Sequence, residues 1–155
     1  MPESKVIRSD WRPADQLIVS QISGDLEMQD VIRWEKTLHD ALDKVSDSGT
    51  FKIFVNLYGF TAANLETHKY FRNIIPLTLA EYGWKVGYVN MFPEEAEKLT
   101  VTRKRGVQCI AAAHCHQDAG KIEKYEQLYS SENEHFYTNP DLAFDWIIRN
   151  FPSIS

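Results

Sequence analysis

Cysteine is scarce in this chain of 155 residues: only Cys109 and Cys115 are present, and both lie in one apolar stretch. Two cysteines this close together cannot form the disulfide framework of a small secreted domain. The N-terminus has no apolar signal core, and no apolar run approaches the ~18 residues that a membrane helix needs. We therefore expect a cytoplasmic protein with reduced thiols and no membrane span.

Positive charge is also in short supply. The chain has 17 Lys and Arg against 22 Asp and Glu, so its formal net charge is -5 at pH 7. Binding along a nucleic-acid backbone requires clustered Lys and Arg, and the sequence has one such cluster, at 103–105. The sequence therefore predicts no nucleic-acid partner, and the cluster is expected at a solvated helix C-terminus.

The motifs of several common enzyme classes are missing as well. The sequence has no GxGxxG or GxxxxGKS/T phosphate loop, no GxSxG nucleophile turn and no HExxH zinc helix. The sequence therefore gives no motif-based evidence for nucleotide binding, acyl transfer or zinc hydrolysis. We predict a non-enzymatic protein with no catalytic residue, no cofactor and no metal.

What the chain does contain is an alternation of strand and helix patterns. Apolar and β-branched runs predict strands at 6–8, 17–23, 52–58, 85–90 and 107–113, with a further extended piece at 134–138. Apolar residues three and four apart predict a long helix from Glu27, with Trp34 on its inner face. Further helices are predicted at 62–82, with a kink or restart at Pro76, and at 93–104, 118–129 and 140–150.

This order predicts the α/β class. Strands that alternate with helices form parallel pairs, whereas the short link between the first two strands favours an antiparallel pair. We expect a single domain over residues 1–155, with a core from about residue 5 to 150. Its predicted architecture is a mixed, mostly parallel five-stranded sheet with an antiparallel N-terminal edge strand and four to five helices.

The stretch at 52–61, KIFVNLYGFT, organises the functional prediction. It is typical of a buried strand that ends at a glycine and turns towards a helix. In open α/β sheets, ligands bind at the carboxyl ends of the strands. We therefore predict a binding or switch turn made of Gly59, Phe60, Thr61 and Asn64.

Three stretches carry a resemblance to a known family. They are IVSQISGDL at 18–26, IFVNLYGF at 53–60 and FYTNPDLAFDWI at 136–147. In their order and spacing they resemble the SpoIIAA-like branch of the STAS and SEC14-like superfamily. The resemblance implies a small mixed sheet with packed helices. It also suggests protein-partner binding, or, through the SEC14-like relationship, a lipid-like ligand.

The resemblance also implies a phosphorylation switch from which this chain departs. Anti-sigma-factor antagonists of the superfamily carry a phosphorylated Ser at the turn after the central strand, usually in an Asp-Ser-Ser or Asp-Ser-Thr context. Here that turn reads LYGFTAAN at 57–64, and Thr61 is the nearest hydroxyl. A phosphate on Thr61 would suit a helix start. The alternative is that Thr61 simply caps the helix.

Two histidines at the end of the predicted fifth strand form another candidate. Residues two apart in a strand face the same side, so His114 and His116 could reach one metal ion. Two ligands are too few for a stable site, and no further ligands follow at a recognisable spacing. A polar strand end with one hydrogen-bonded histidine is the alternative.

Several strand ends are expected to meet at one edge of the sheet. The predicted edge of a pocket consists of Asn56, Tyr58, Asn90, Phe92, His114 and His116. Aromatic and polar groups together would suit an apolar ligand with a polar head. Ordinary loop residues at helix caps are the alternative.

Three functions remain open from the sequence. The leading prediction is a regulatory module that binds a protein partner through the turn at 59–64. The alternative is a carrier or sensor of a small apolar or lipid-like ligand. A hydrolase-like enzyme using His114 or His116 ranks third, and a homodimer formed through a helix face is compatible with all three.

Overall fold

The structure, a computed structural model, describes residues 5–87, 97 and 99–149. No helix in these ranges combines the length and the apolar character needed to cross a membrane.

A mixed β-sheet forms the centre of the molecule. Within the described residues it has six strands: β1 (Val6–Arg12), β2 (Leu17–Leu26), β3 (Thr50–Asn56), β4 (Phe60–Ala62), β5 (Gln108–Cys115) and β6 (Glu134–Tyr137). Their order is β1-β2-β3-β5-β6, and β4 pairs with the end of β2. The β1–β2 pair is antiparallel and the other pairs are parallel. The α/β class and the antiparallel N-terminal edge strand are thus confirmed.

The structure differs from the predicted set of five strands in three places. Residues 85–87 of the predicted 85–90 strand are not in a strand, and 88–90 lie outside the described residues. The turn after β3 contributes the short β4, which pairs with Gly24–Leu26. The extended piece at 134–138 becomes β6 and pairs with β5. Pairing with a neighbouring strand decided these cases, and short apolar runs do not specify it.

Four α-helices cover the sheet in the described part of the chain: α1 (Met28–Asp43), α2 (Leu65–Ala80), α3 (Ala119–Tyr129) and α4 (Pro140–Arg149). Helices α1 and α2 share one core with the inner residues of β2 and β3. Helix α4 packs on a second apolar cluster that includes Leu17, Phe54 and Cys115. Helix α3 lies over β6 through Ile122, Tyr125 and Phe136.

The predicted inner face of α1 is confirmed, because Val31, Trp34 and Leu38 are fully buried. The basic cluster at 103–105, however, does not end an α-helix, since Lys104–Gly106 form only a short 3-10 helix. Arg105 donates to the carbonyls of Leu42 and Val45 and pairs with Asp47 at 2.7 Å. It thereby supplies donors and positive charge at the C-terminal end of α1.

Helix α2 differs from the prediction at its start and at Pro76. It begins at Leu65 rather than Ala62, and the Leu65 side chain is exposed. It also continues through Pro76 without a restart. A proline removes one backbone donor and costs about 3 kcal/mol. Buried Ile74, Ile75 and Leu79 on both sides of Pro76 keep the helix in place.

Asn64, and not Thr61, caps this helix. The Asn64 Oδ1 accepts the backbone N–H of Thr67 at 2.8 Å, whereas Thr61 lies in β4 and is exposed. We expect Asn64→Ala to lower the free energy of unfolding by about 1 kcal/mol. The matched Thr61→Ala change should cost less than about 0.5 kcal/mol. Urea unfolding of both variants measures the difference, and equal losses would contradict the assignment of the cap.

Candidate functional site

A cavity lies at the carboxyl ends of β3, β5 and β6, beneath α2 and α3. It has a volume of about 80 Å³ and is lined by Leu57, His68, Phe71, Arg72, His114, Cys115, His116, Lys121, Ile122, Tyr125 and Phe136. This is the edge of the sheet where ligands of open α/β folds bind. We call it the inner cavity.

A second cavity of about 250 Å³ adjoins the first one. Both are lined by Leu57, His68, Phe71, His116 and Lys121. The second cavity is further lined by Phe60, Thr61, Ala62 and Asp118. We call this second cavity the outer cavity. Phe60 and Thr61 of the turn predicted from the sequence line it, whereas the inner cavity is lined by the strand residues His114 and Phe136.

Aromatic rings make the cavity walls apolar. Phe71 stacks on Phe60 with ring centroids 4.0 Å apart and contacts Trp34 at 5.5 Å. On the opposite side, Phe136 meets Tyr125 edge to face at 5.6 Å. Rings locked against other rings give a rigid apolar surface.

His114 is held by a buried carboxylate. Its Nε2 lies 2.7 Å from Glu134 Oε2, and its ring stacks on Phe136 at 4.7 Å. The other Glu134 oxygen accepts the backbone N–H of Gly87 at 3.0 Å. The side chains of His114 and Glu134 are 7% and 3% exposed. The pair therefore fixes the histidine ring in the wall of the inner cavity.

His116 has a defined neutral tautomer. The backbone N–H of Asp118 donates to His116 Nδ1 at 3.0 Å, so the neutral ring carries its proton on Nε2. Burial lowers the pKa of His116, and the positive charge of Lys121 lowers it further, while Asp118 partly opposes both effects. His116 thus lines both cavities as a neutral ring near neutral pH.

Two basic groups on the helices complete the site. Burial lowers the pKa of His68, and the charges of Lys121 and Arg72 add to this effect. Burial also lowers the pKa of Lys121, against the opposing charge of Asp118. The Lys121 Nζ lies 5.7 Å from the centre of the Tyr125 ring. The Lys121 ammonium and the His68 imidazole therefore share this apolar site.

The turn after β3 is braced from the β5–α3 connection. Gly59 has a φ of 92°, a conformation that favours glycine. Its N–H donates to Gln117 Oε1 at 2.8 Å, and Gln117 Nε2 donates to the Phe60 carbonyl at 2.9 Å. The Asn56 Oδ1 accepts the N–H of Tyr58. Gln117, which the sequence did not single out, joins the turn to the segment that carries His116.

The predicted site residues thus separate into groups. Phe60, Thr61, His114 and His116 line the cavities, whereas Asn64 serves as a helix cap. Gly59 and Asn56 shape the turn, and Tyr58 lines a separate groove with Gln117 and 138–140. Asn90 and Phe92 lie outside the described residues.

The helical wall of the site was missed from the sequence. His68 and Arg72 are four residues apart on α2, and Lys121 and Tyr125 are four apart on α3. Such pairs lie on one face of a helix. The four-residue spacing could have indicated each helix face from the sequence. It could not indicate that the faces of α2 and α3 line the same cavity.

The Cys115 thiol does not join the His114–Glu134 pair. The Cys115 side chain belongs to the cluster under α4, on the opposite face of the sheet from His114. Burial raises the pKa of its thiol to about 11, which disfavours the nucleophilic thiolate. A search of the described ranges also finds no group of three or more His, Cys, Asp or Glu side chains placed to hold a metal ion.

Comparison of the chain with protein-family models, with curated proteins and with solved structures found no match.

Proposed function

We propose that this chain is a non-enzymatic binding module that carries or senses a small ligand with an apolar part. The adjoining inner and outer cavities carry this proposal, because they combine rigid aromatic walls with a few polar groups. Small-molecule sites have this character and lie at this edge of α/β sheets. The cavities favour the alternative function predicted from the sequence over docking of a partner at the turn.

The SpoIIAA-like relationship belongs to the same proposal. The antiparallel β1–β2 pair, followed by parallel strands that alternate with helices, supports it. The SEC14-like side of the resemblance accords with an apolar ligand. The phosphorylation switch receives less support, because Thr61 lies in β4 and not at the helix start.

A fragment screen by NMR tests the binding function. With ¹⁵N-labelled protein and a set of small apolar and amphipathic molecules, we expect shifts at His68, Phe71, His116 and Ile122. Leu57→Trp should abolish these shifts, since Leu57 lines both cavities and an indole would fill them. Leu128→Trp, at an exposed position of α3, is the matched control and should leave them intact. A complete screen without shifts at these residues would reject the proposal.

Protein docking at the turn remains the second candidate. Tyr58 and Leu65 are large apolar side chains that are 49% and 66% exposed on either side of Thr61. A partner that binds here should be lost with Tyr58→Ala and Leu65→Ala, yet retained with Leu57→Trp. Cross-linking in lysate followed by mass spectrometry compares the three variants, and identical cross-links in all of them would dismiss this surface.

A further inference from the structure

Basic side chains outnumber carboxylates around the two cavities. His68 and Arg72 come from α2, Lys121 comes from α3, and His116 follows β5. The only carboxylate that lines either cavity among the described residues is Asp118. Its Oδ1 already accepts the backbone N–H of Lys121 and caps α3. The site therefore offers the Lys121 ammonium and two imidazoles to an anionic group in an apolar setting, where charge interactions are strong.

Within the ranges that the structure describes, the other titratable groups near the cavity form no ion pair with Lys121. Glu134 lies behind His114 and has both oxygens engaged, by His114 and by the Gly87 N–H. Burial raises the pKa of Tyr125, so its phenol stays neutral near pH 7. No carboxylate in the described part of the chain lies within ion-pair distance of the Lys121 ammonium.

The basic groups mark the position of a charged head. His68, His116 and Lys121 line both cavities, so they stand where the inner and outer cavities meet. The inner cavity beyond them is walled by apolar groups such as Ile122 and Phe136. A molecule with its head at the junction would place its body inwards, against these side chains.

We propose that the ligand is a small monocarboxylate with a short alkyl body, bound with protonation of His68 or His116. This inference rests on the proposed ligand-binding function and adds the chemical class of the ligand. The inner volume of about 80 Å³ matches a short alkyl chain better than a long acyl chain. A carboxylate meets three nitrogen groups at the junction, whereas an ammonium head would meet repulsion.

Proton uptake follows from the state of the two histidines. Their pKa values are lowered by burial and by the neighbouring positive charges. A bound carboxylate stabilises the imidazolium and raises these pKa values. The complex then holds more protons than the free protein, so affinity falls as pH rises. One linked proton changes the dissociation constant by up to about tenfold per pH unit.

A charge series of matched probes tests the assignment. Pentanoate, pentan-1-ol and pentylamine share an alkyl chain and differ in the charge of the head. In NMR titrations at pH 6, 7 and 8 we expect pentanoate to bind at least tenfold more tightly than pentan-1-ol at pH 6. Its affinity should decrease with pH, that of pentan-1-ol should stay constant, and pentylamine should bind weakest.

Substitutions of the basic residues test which side chains bind the carboxylate. Lys121→Met should weaken pentanoate about tenfold and leave pentan-1-ol unchanged, while Lys124→Met, at an exposed position of α3, should alter neither. The double variant His68→Gln, His116→Gln should flatten the pH dependence of pentanoate binding. Thermal unfolding checks that each variant is folded, and Lys121→Gln replaces Lys121→Met if the latter does not fold.

The possible results distinguish the carboxylate assignment from the proposed ligand-binding function. Equal affinity for pentanoate and pentan-1-ol, or pentanoate binding that does not change with pH, would overturn the carboxylate assignment and leave ligand binding standing. If all three probes fail while other fragments bind at the cavity, the carboxylate assignment also falls. Only a wider fragment screen without binding overturns the proposed function itself.

Discussion

Trp34→Ala is expected to lower the free energy of unfolding by about 4 kcal/mol. Trp34 is fully buried in the middle of α1 and contacts Phe71 of α2 at 5.5 Å between ring centroids. Alanine would leave a large cavity between the two helices and the sheet. Urea unfolding followed by circular dichroism, with the slope checked against the wild type, gives the loss.

Trp34→Phe is the matched control. The indole N–H of Trp34 is buried and has no hydrogen-bond acceptor in the part of the chain that the structure describes. Phenylalanine therefore removes volume without breaking a hydrogen bond, and we expect about half the loss of the alanine variant. A loss as large as that of alanine would contradict this account and show that the N–H is satisfied in solution.

Removal of the Glu134 carboxylate is expected to have the second-largest effect. Glu134→Ala should cost about 3 kcal/mol and lower Tm by roughly 10 °C, because His114 and the Gly87 N–H lose their buried acceptor. Differential scanning calorimetry measures the change. Glu132→Ala, at an exposed position beside β6, should change Tm by less than about 2 °C.

Glu134→Gln separates the charge from the hydrogen bonds. The amide keeps the shape of the side chain and an oxygen for the Gly87 N–H, so we expect a smaller loss than for alanine. The histidine NMR signals of this variant report whether the His114 ring keeps its orientation. Equal losses for Glu134→Gln and Glu134→Ala would indicate that the ionised carboxylate itself is required.

Sequence patterns predicted secondary structure correctly where a regular spacing of apolar residues or a typical capping residue was present. The spacing of Val31, Trp34 and Leu38 predicted the buried face of α1, and Asn139 with Pro140 predicted the start of α4. Each signal acts over a few residues, through side-chain periodicity or a backbone cap. Such signals need no knowledge of the rest of the fold.

Predictions failed where distant parts of the chain competed with the local pattern. Thr61 was a reasonable cap, but pairing of β4 with β2 extends the turn and moves the cap to Asn64. Pro76 predicted a break, but buried side chains on both sides hold α2 together. In both cases tertiary contacts outweigh a local preference of a few kcal/mol at most.

By itself, the sequence determined the α/β class and the antiparallel first pair, and it predicted the edge of the sheet at which the cavities lie. It also predicted that the turn at Gly59, after the buried strand β3, lies at that edge, since buried apolar runs and turn residues act locally. Only the tertiary structure decided that His68 and Lys121 face His116 across a cavity. These residues are far apart in the chain, and only the packing of α2 and α3 over the sheet brings them together.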